Sequence, residues 1–200
     1  MLCAHSGDKV SISAASGAHT IERLFTITDA HIQGLAEVLI DSVDGGASVS
    51  FMHPLPVAKA QDFWHRVAEG VTRGKRALLV AQDAVGVVGT VHLILDQPEN
   101  QPHRADLSKM LVHRRARRRG LGAALLRAAE DLGRECGKSL LVLDTASGDA
   151  ERLYAALGWR RCGVIPDFAL LPRGGFCDTT YFYRRLDARP AAHRLHGSRR

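Results

Sequence analysis

The chain has 200 residues, 46% of them hydrophobic and 24% charged, which is enough for one domain with a buried core. Its formal net charge is +6, but residues 113–119 hold five arginines, residues 185–200 contribute +4, and the remainder sums to −3. A protein that binds a nucleic-acid duplex along its body needs a broad basic face, so this distribution argues against that class.

The cysteines and the hydropathy pattern exclude two further classes. Cys3, Cys136, Cys162 and Cys177 show no C-x-x-C spacing and follow no secretory signal. We therefore expect reduced thiols in a cytoplasmic protein, with neither disulfides nor a metal site. No apolar run approaches the ~20 residues that cross a bilayer, so we expect no membrane partner.

Hydrophobic periodicity predicts both strands and helices in the first half of the chain. Residues 1–18 are small, polar and aperiodic, so we expect a flexible N-terminal segment. The elements that follow are a strand over 19–26, a helix capped by Thr28-Asp29, a loop opened by Gly45-Gly46, a helix over 57–73 and a hairpin over 76–95.

In the second half of the chain, predicted strands and helices alternate up to the last two strands. Its predicted elements are a strand over 105–112, a helix from Gly120 to about Cys136, a strand over 139–143 buried on both faces, a helix over 149–157, and extended pieces over 160–164 and 179–184 around a loop at 166–178. Residues 186–200 have the composition of a basic flexible tail. The order β-α-α-β-β-β-α-β-α-β-β predicts one α/β (α+β) domain over 19–185, with helices covering a sheet.

An anion site is indicated between Leu111 and Leu126, where a strand, an arginine cluster, two glycines and a helix follow one another. Gly120 and Gly122 lack a Cβ atom where backbone N–H groups must approach phosphate oxygens, and the helix dipole favours negative charge there. The segment also holds five screening cations: Arg114, Arg115, Arg117, Arg118 and Arg119. The pattern R-x-x-G-x-G is not a Walker loop, and its alternative interpretation is a solvated basic turn.

Two motifs carry a family resemblance. The loop Arg117-x-x-Gly120-x-Gly122 resembles the coenzyme A signature of the GCN5-related N-acetyltransferases (GNAT family). The segment Ala150-x-x-Leu153-Tyr154-x-x-x-Gly158-Trp159 resembles a second GNAT signature. The resemblance covers about residues 19–185 and implies the GNAT fold, a mixed, mostly antiparallel sheet of 6–7 strands with helices on both faces. It also implies that acetyl-CoA binds where the strand before the arginine loop and the next strand splay apart.

The resemblance further implies a set of cofactor-binding residues along that strand, the loop and the following helices. They are Met110, Leu111, Val112, Arg117, Arg118, Arg119, Gly120, Leu121, Gly122, Ala123, Ser147 and Tyr154. Ser147 stands where many members of the family place an asparagine. The pantetheine arm is expected to pair with the strand, and a backbone N–H near Leu111 or Val112 to face the oxyanion.

Two residues are the candidates for acid and base. In the family the tyrosine at position 154 often protonates the leaving thiolate, which makes Tyr154 the candidate general acid. Asp144 ends the apolar strand beside the expected cleft, so it is the first candidate for the base that deprotonates the attacking amine; its alternative role is a turn or a helix cap. His92 and His103 are weaker candidates.

Three short sequence segments suggest the type of acceptor. The sequences GGASVSFM, PHRADLSKMLV and LDTASG resemble the tabtoxin-resistance acetyltransferases, which modify a small amino-acid-like toxin. This implies direct acetylation of the primary amine of such an acceptor, with the Gly-rich loop and Asp144 on the acceptor side and the loop after Ile165 as a lid. The alternatives are a protein N-terminal acetyltransferase, a nucleic-acid-binding protein and a CoA sensor. The final strands offer an edge for a homodimer.

Overall fold

Eight strands and four α-helices make up the part of the chain that the structure describes, residues 10–14 and 17–186 of a computed structural model. In chain order they are β1 (Val10–Ala14), β2 (Gly17–Leu24), α1 (Asp29–Asp44), α2 (Val57–Thr72), β3 (Arg76–Asp83), β4 (Gly86–Ile94), β5 (Arg104–Val112), α3 (Leu121–Glu135), β6 (Leu140–Thr145), α4 (Gly148–Ala156), β7 (Arg160–Leu170) and β8 (Phe176–Arg185). From β2 onward this is the predicted order. No described helix has the length and apolar character needed to cross a membrane.

All strands belong to one sheet of order β1-β2-β3-β4-β5-β6-β8-β7, antiparallel except for the β5–β6 pair. The mixed, mostly antiparallel sheet is therefore confirmed. It has one strand more than the upper expectation, because β1 pairs with β2 from Val10↔Ile21 to Ala14↔Gly17. The composition of residues 1–18 does not predict that strand.

At the other end, Leu186 is buried and its N–H donates to the Ser139 carbonyl (2.9 Å), so it belongs to the domain and not to the predicted tail. Residues 1–9, 15–16 and 187–200 lie outside the described part.

The two parallel strands separate soon after they meet. β5 and β6 pair only at Arg104↔Leu140, Ala105↔Leu141 and Asp106↔Val142. Beyond these pairs residues 107–112 and 143–145 diverge, which confirms the splay that the family resemblance implies. On its other edge β5 carries a bulge, where Lys109 and Met110 lie opposite one residue of β4, and Lys109 takes a left-handed φ of 51°.

Helices cover both faces of the sheet, as predicted. Thr28 caps α1 by accepting the His31 N–H, and α1 and α2 bury one apolar stripe each against β3, β4 and β5. On the opposite face α3 buries Leu125, Leu126 and Ala129. The sheet thus separates two cores, one under α1 and α2 and one under α3.

Two sequence predictions near the C-terminus are wrong. β6 is not buried on both faces. Leu141 and Leu143 are buried on the face that α3 covers, whereas α1 and α2 pack mainly on other strands and leave Val142 half-buried on the opposite face. Residues 166–178 are not a long loop: β7 and β8 form a hairpin with its turn at 171–175. An irregular register between Ile165 and Ala169 accommodates Pro166, which has no N–H to donate to the ladder. β7 is the outer strand and exposes Ile165 and Phe168, at the edge where a homodimer is expected.

Candidate functional site

A cavity of about 860 Å³ opens where β5 and β6 splay. Residues 107–112 of β5, the end of β6, the first turns of α3 and α4, and the loop after α1 line it. Its lining includes Leu107, Leu143 and Tyr154 from the α3-side core and Leu111 from the α1/α2-side core. The cavity therefore passes through the sheet, and its volume lies in the range of ligand pockets.

One end of the cavity has the features of an anion site. Gly120 is the N-terminal cap of α3 with a left-handed φ of 79°, and a Cβ built on it meets no atom within 4 Å. Gly120, Leu121, Gly122 and Ala123 all line the cavity, and the N–H groups of a first helical turn have no partner within the helix. Arg118, with a φ of 61°, is the second left-handed residue of this turn. Phosphate groups bind at such helix starts.

The arginine cluster divides into two sets. Arg117 and Arg118 line the cavity. Arg117 Nε also donates to the Val112 carbonyl (2.8 Å), which fixes the loop against β5. Arg119 is exposed and is not among the lining residues. Arg114 and Arg115 do not line the cavity, and Asp41 and Asp83 hold their guanidinium groups, so the screening charge predicted for these two residues is offset by carboxylates.

Asp83 has more than one partner. Burial by itself raises the pKa of its carboxyl, but the N–H groups of Val85 and Gly86 and the Arg115 guanidinium donate to it and outweigh burial. The net result is a pKa below the ordinary value. Asp83 is therefore an anion at neutral pH and ties the arginine loop to the β3–β4 turn.

Asp41 ties the same loop to α1. Only 7% of its side chain is exposed, and it accepts the Arg114 N–H (2.9 Å) and contacts the Arg114 guanidinium. Arg117 NH2 and His113 Nε2 each lie 3.5 Å from its oxygens. One buried carboxylate thus positions three basic residues of the loop.

Replacing Asp41 by alanine is expected to lower the free energy of unfolding by about 1.5–3 kcal/mol, the range for a hydrogen bond to a charged group. The loss stays below that of a fully buried ion pair, because the Arg114 side chain is 60% exposed and water can solvate it. Urea denaturation measures the change. Glu37→Ala, one turn earlier on the exposed face of α1, is the matched control, and equal losses in both variants would contradict the tether.

Tyr154 lies on α4 with its ring in the α3-side core and lines the cavity. Its ring packs against Trp159 (centroids 6.0 Å apart) and Phe182 (5.6 Å). Burial, and to a smaller extent the nearby Asp144 carboxylate, raise the pKa of the phenol well above its ordinary value. Tyr154 therefore keeps its proton at neutral pH and presents a hydrogen-bond donor.

Asp144 lines the cavity from the end of β6. Its Oδ2 accepts the hydroxyl of Thr179 on the neighbouring strand β8 (3.0 Å). The alternative in which Asp144 caps the next helix is wrong, because Ser147 caps α4 by accepting the Ala150 N–H (3.4 Å). Ser147 nevertheless lines the cavity too, so both predicted residues reach it.

Neither candidate histidine lines the cavity. His92 is 1% exposed, and its Nε2 lies 2.9 Å from Arg76 NH1. Burial, followed by the charges of Arg76 and Lys109, lowers the pKa of His92 to about 3, so it is a neutral and very weak base. His103 lies in the exposed turn before β5, where its carbonyl accepts the N–H groups at the start of β6.

A second wall of the cavity is formed by the Gly-rich loop, residues 45–50, and the turn of the β7–β8 hairpin. The loop runs from Gly45, beside the Arg117 guanidinium, to Ser50, beside Lys109. Ser48 Oγ donates to the Leu170 carbonyl (3.1 Å), and the His53 N–H donates to the Pro172 carbonyl (2.9 Å). Leu171 lines the cavity from this turn. The predicted lid is therefore a hairpin end that is hydrogen-bonded to the loop it faces.

Sequence reasoning missed three polar residues of this region: Asp41, Lys109 and Thr179. Asp41 gave a signal, since a charged residue on the apolar stripe of α1 needs a buried partner. In the sequence Lys109 is a single lysine in a predicted strand, and Thr179 is a polar residue at the start of another predicted strand. Neither position belongs to a motif that indicates a function. Their partners lie far away in the sequence.

Comparison with known proteins gives a consistent picture. The model of the Acetyltransferase (GNAT) family matches residues 48–159. The fold is similar to a ribosomal-protein-alanine N-acetyltransferase from Brucella melitensis (TM-score 0.70, 23% identity, 83% of this chain and 99% of that one). It is also similar to a putative acetyltransferase from Salmonella typhimurium solved with acetyl-CoA (0.68, 21%, 88% and 98%). A third similar structure is a phosphinothricin acetyltransferase from Sinorhizobium meliloti in complex with acetyl-CoA (0.70, 21%, 90% and 94%).

Proposed function

The chain belongs to the GNAT acetyltransferase family, and on that premise we propose that it transfers the acetyl group of acetyl-CoA to the primary amine of a small amino-acid-like acceptor. The observation that carries the proposal is one cavity that joins an anion-binding helix start to Tyr154 and Asp144. Two of the similar structures hold acetyl-CoA, which supports this co-substrate.

The residues present fit acetyl-CoA. Gly120 leaves open space at the start of α3, and Arg117 and Arg118 add positive charge there, as a pyrophosphate requires. The splay leaves residues 107–112 of β5 without a partner strand on their inner edge. Backbone groups there are available to an extended arm, except the Val112 carbonyl, which accepts from Arg117 Nε. When bound, acetyl-CoA supplies an activated thioester.

The side chains in the cavity suit direct attack. Asp144 takes a proton from the acceptor ammonium, so that the nitrogen lone pair forms the new C–N bond. As the C–S bond breaks, Tyr154 donates its proton to the departing sulfur, and the second proton lost by the attacking nitrogen restores the phenol. A backbone N–H of Leu111 or Val112 is the proposed donor to the carbonyl oxygen, whose negative charge grows in the transition state.

The wall formed by the Gly-rich loop and the β7–β8 turn bears on the size of the acceptor. Two hydrogen bonds join the loop to the turn, so the two segments form one continuous wall of the cavity. A protein N-terminus would need an open groove at this place. A small acceptor, with a toxin or antibiotic amine as one candidate, therefore agrees better with this wall than a peptide does.

Calorimetric titration with acetyl-CoA, followed by an assay for released CoA thiol, tests the function. Amino acids, amines without a carboxylate and short peptides serve as the acceptor panel. Micromolar binding with thiol release by small amines supports the proposal. Release by peptides alone refutes the small acceptor, and absence of acetyl-CoA binding refutes the co-substrate.

The role of Asp144 makes a separate prediction. Asp144→Asn is expected to lower kcat/KM at pH 7 by about 100-fold, the lower end for loss of a general base, because Asp144 is exposed and water can replace it in part. The residual rate should rise with pH as the amine loses its own proton. Asp96→Asn, an exposed carboxylate paired with Lys75, is the control. A pH profile parallel to that of the wild type would contradict the base role.

A further inference from the structure

Lys109 is a cation on the wall of the cavity. It lies in the bulge of β5 with a left-handed φ of 51°, a conformation that is uncommon for non-glycine residues. Its Nζ lies 5.5 Å above the ring centroid of Phe63 and donates to Ser50 Oγ (3.3 Å). The side chain is thus directed to the part of the cavity that faces α2 and the Gly-rich loop.

No carboxylate of the described residues forms an ion pair with Lys109. Lys75, by contrast, pairs with Asp96 at 2.7 Å. Burial lowers the pKa of Lys109, the negative charge of Asp144 opposes that effect, and the positive charge of Arg76 adds to it. Arg76, which does not line the cavity, contacts the neutral His92. Its positive charge lies near Lys109 and has no carboxylate partner among the described residues.

Asp144 provides the opposite charge within the same cavity. It is close enough to affect the pKa of Lys109, yet the two do not form a salt bridge. Lys109 extends from β5 and Asp144 from β6, the two strands that splay. A molecule between these strands meets a cation on one side and an anion on the other. That arrangement matches a zwitterion.

We propose that Lys109 binds the carboxylate, or an equivalent anionic group, of the acceptor while Asp144 holds its ammonium, so that the acceptor is a zwitterion of the amino-acid class. The inference rests on the proposed function and specifies its substrate. Lys109 then determines specificity, while the chemistry stays with Tyr154 and Asp144. Phe63, under the Lys109 ammonium, offers an apolar surface to the remainder of the acceptor.

The test compares Lys109→Met, Lys109→Arg and the control Lys75→Met. The acceptors are the standard L-amino acids and, for each one that is acetylated, its carboxamide, which keeps the amine and lacks the negative charge. Lys109→Met is expected to lower kcat/KM for the amino acid by about 10- to 150-fold, the value of one hydrogen bond between charged groups, and to change the carboxamide rate little. Lys109→Arg should restore most of the loss.

Calorimetry with acetyl-CoA and the melting temperature accompany each variant. The inference is overturned if acid and carboxamide lose rate equally, if the Kd for acetyl-CoA rises in step, or if no amino acid is acetylated. If no amino acid is acetylated but CoA thiol is released in the presence of an amine that has no carboxylate, the acetyl transfer to a small amine is still supported and only the role of Lys109 is refuted. If acetyl-CoA does not bind the wild type, the proposed function fails with it.

Discussion

Gly120→Val should abolish acetyl-CoA binding, with a Kd raised by at least about 100-fold. A Cβ at this position enters open space at the start of α3, where the N–H groups of the first turn would meet the pyrophosphate. Blocking two such hydrogen bonds to a charged group is sufficient for that loss. Calorimetric titration with acetyl-CoA measures it.

The same substitution also strains the backbone, because a β-branched residue disfavours a φ of 79°. Gly137→Val separates the two effects. Gly137 follows the other end of α3 with a φ of 72°, and a Cβ there also meets no atom within 4 Å, but it does not line the cavity. Both variants should melt earlier by similar amounts, and only Gly120→Val should lose binding. Equal binding in the two variants would remove the anion site from this loop.

Tyr154→Phe is expected to lower kcat by about 10²–10⁴-fold, the usual contribution of a positioned proton donor, with the acetyl-CoA Kd nearly unchanged. The substitution removes one oxygen and keeps the ring between Trp159 and Phe182, so the fold has no reason to change. Steady-state kinetics with calorimetry on the same preparations separates turnover from binding.

The pH dependence provides a second readout. Tyr154 acts in its protonated form, and its pKa is raised, so the wild type should keep this function through the pH range in which a free tyrosine begins to ionise, near 10. Tyr183→Phe, on β8 outside the cavity lining, is the control and should retain full turnover. Full activity of Tyr154→Phe at every pH would refute the acid role.

Most helices and strands follow from signals that lie close together in the sequence. Thr28 caps α1, and the apolar runs of β3 and β4 and the apolar stripe of α3 each fit within one short window. Three strand segments were not predicted: Val10–Ala14, the end of β7 at 166–170 and the start of β8 at 176–178. The first depends on pairing with β2, and the other two depend on pairing with each other, which composition does not encode.

The site divides in the same way. Gly120 and Tyr154 were identifiable because each lies within a compact motif. The contacts Asp41–Arg114, Ser50–Lys109 and Asp144–Thr179 span 73, 59 and 35 residues, so only the fold brings these groups together. Sequence alone therefore predicted the glycine loop, Tyr154 and Asp144, whereas the position of Lys109 across the cavity from Asp144 required coordinates.

The short β5–β6 ladder has a mechanical consequence. Three residue pairs are the only β-ladder between the five-stranded N-terminal part of the described sheet and its three-stranded C-terminal part, with α3 packing against both. A ligand that fills the gap adds contacts to both parts at the place where the sheet itself has fewest. By mass action such a ligand stabilises the folded state. A ligand bound between β5 and β6 therefore stabilises the junction between the two parts of the sheet, where only three residue pairs of the described strands connect them.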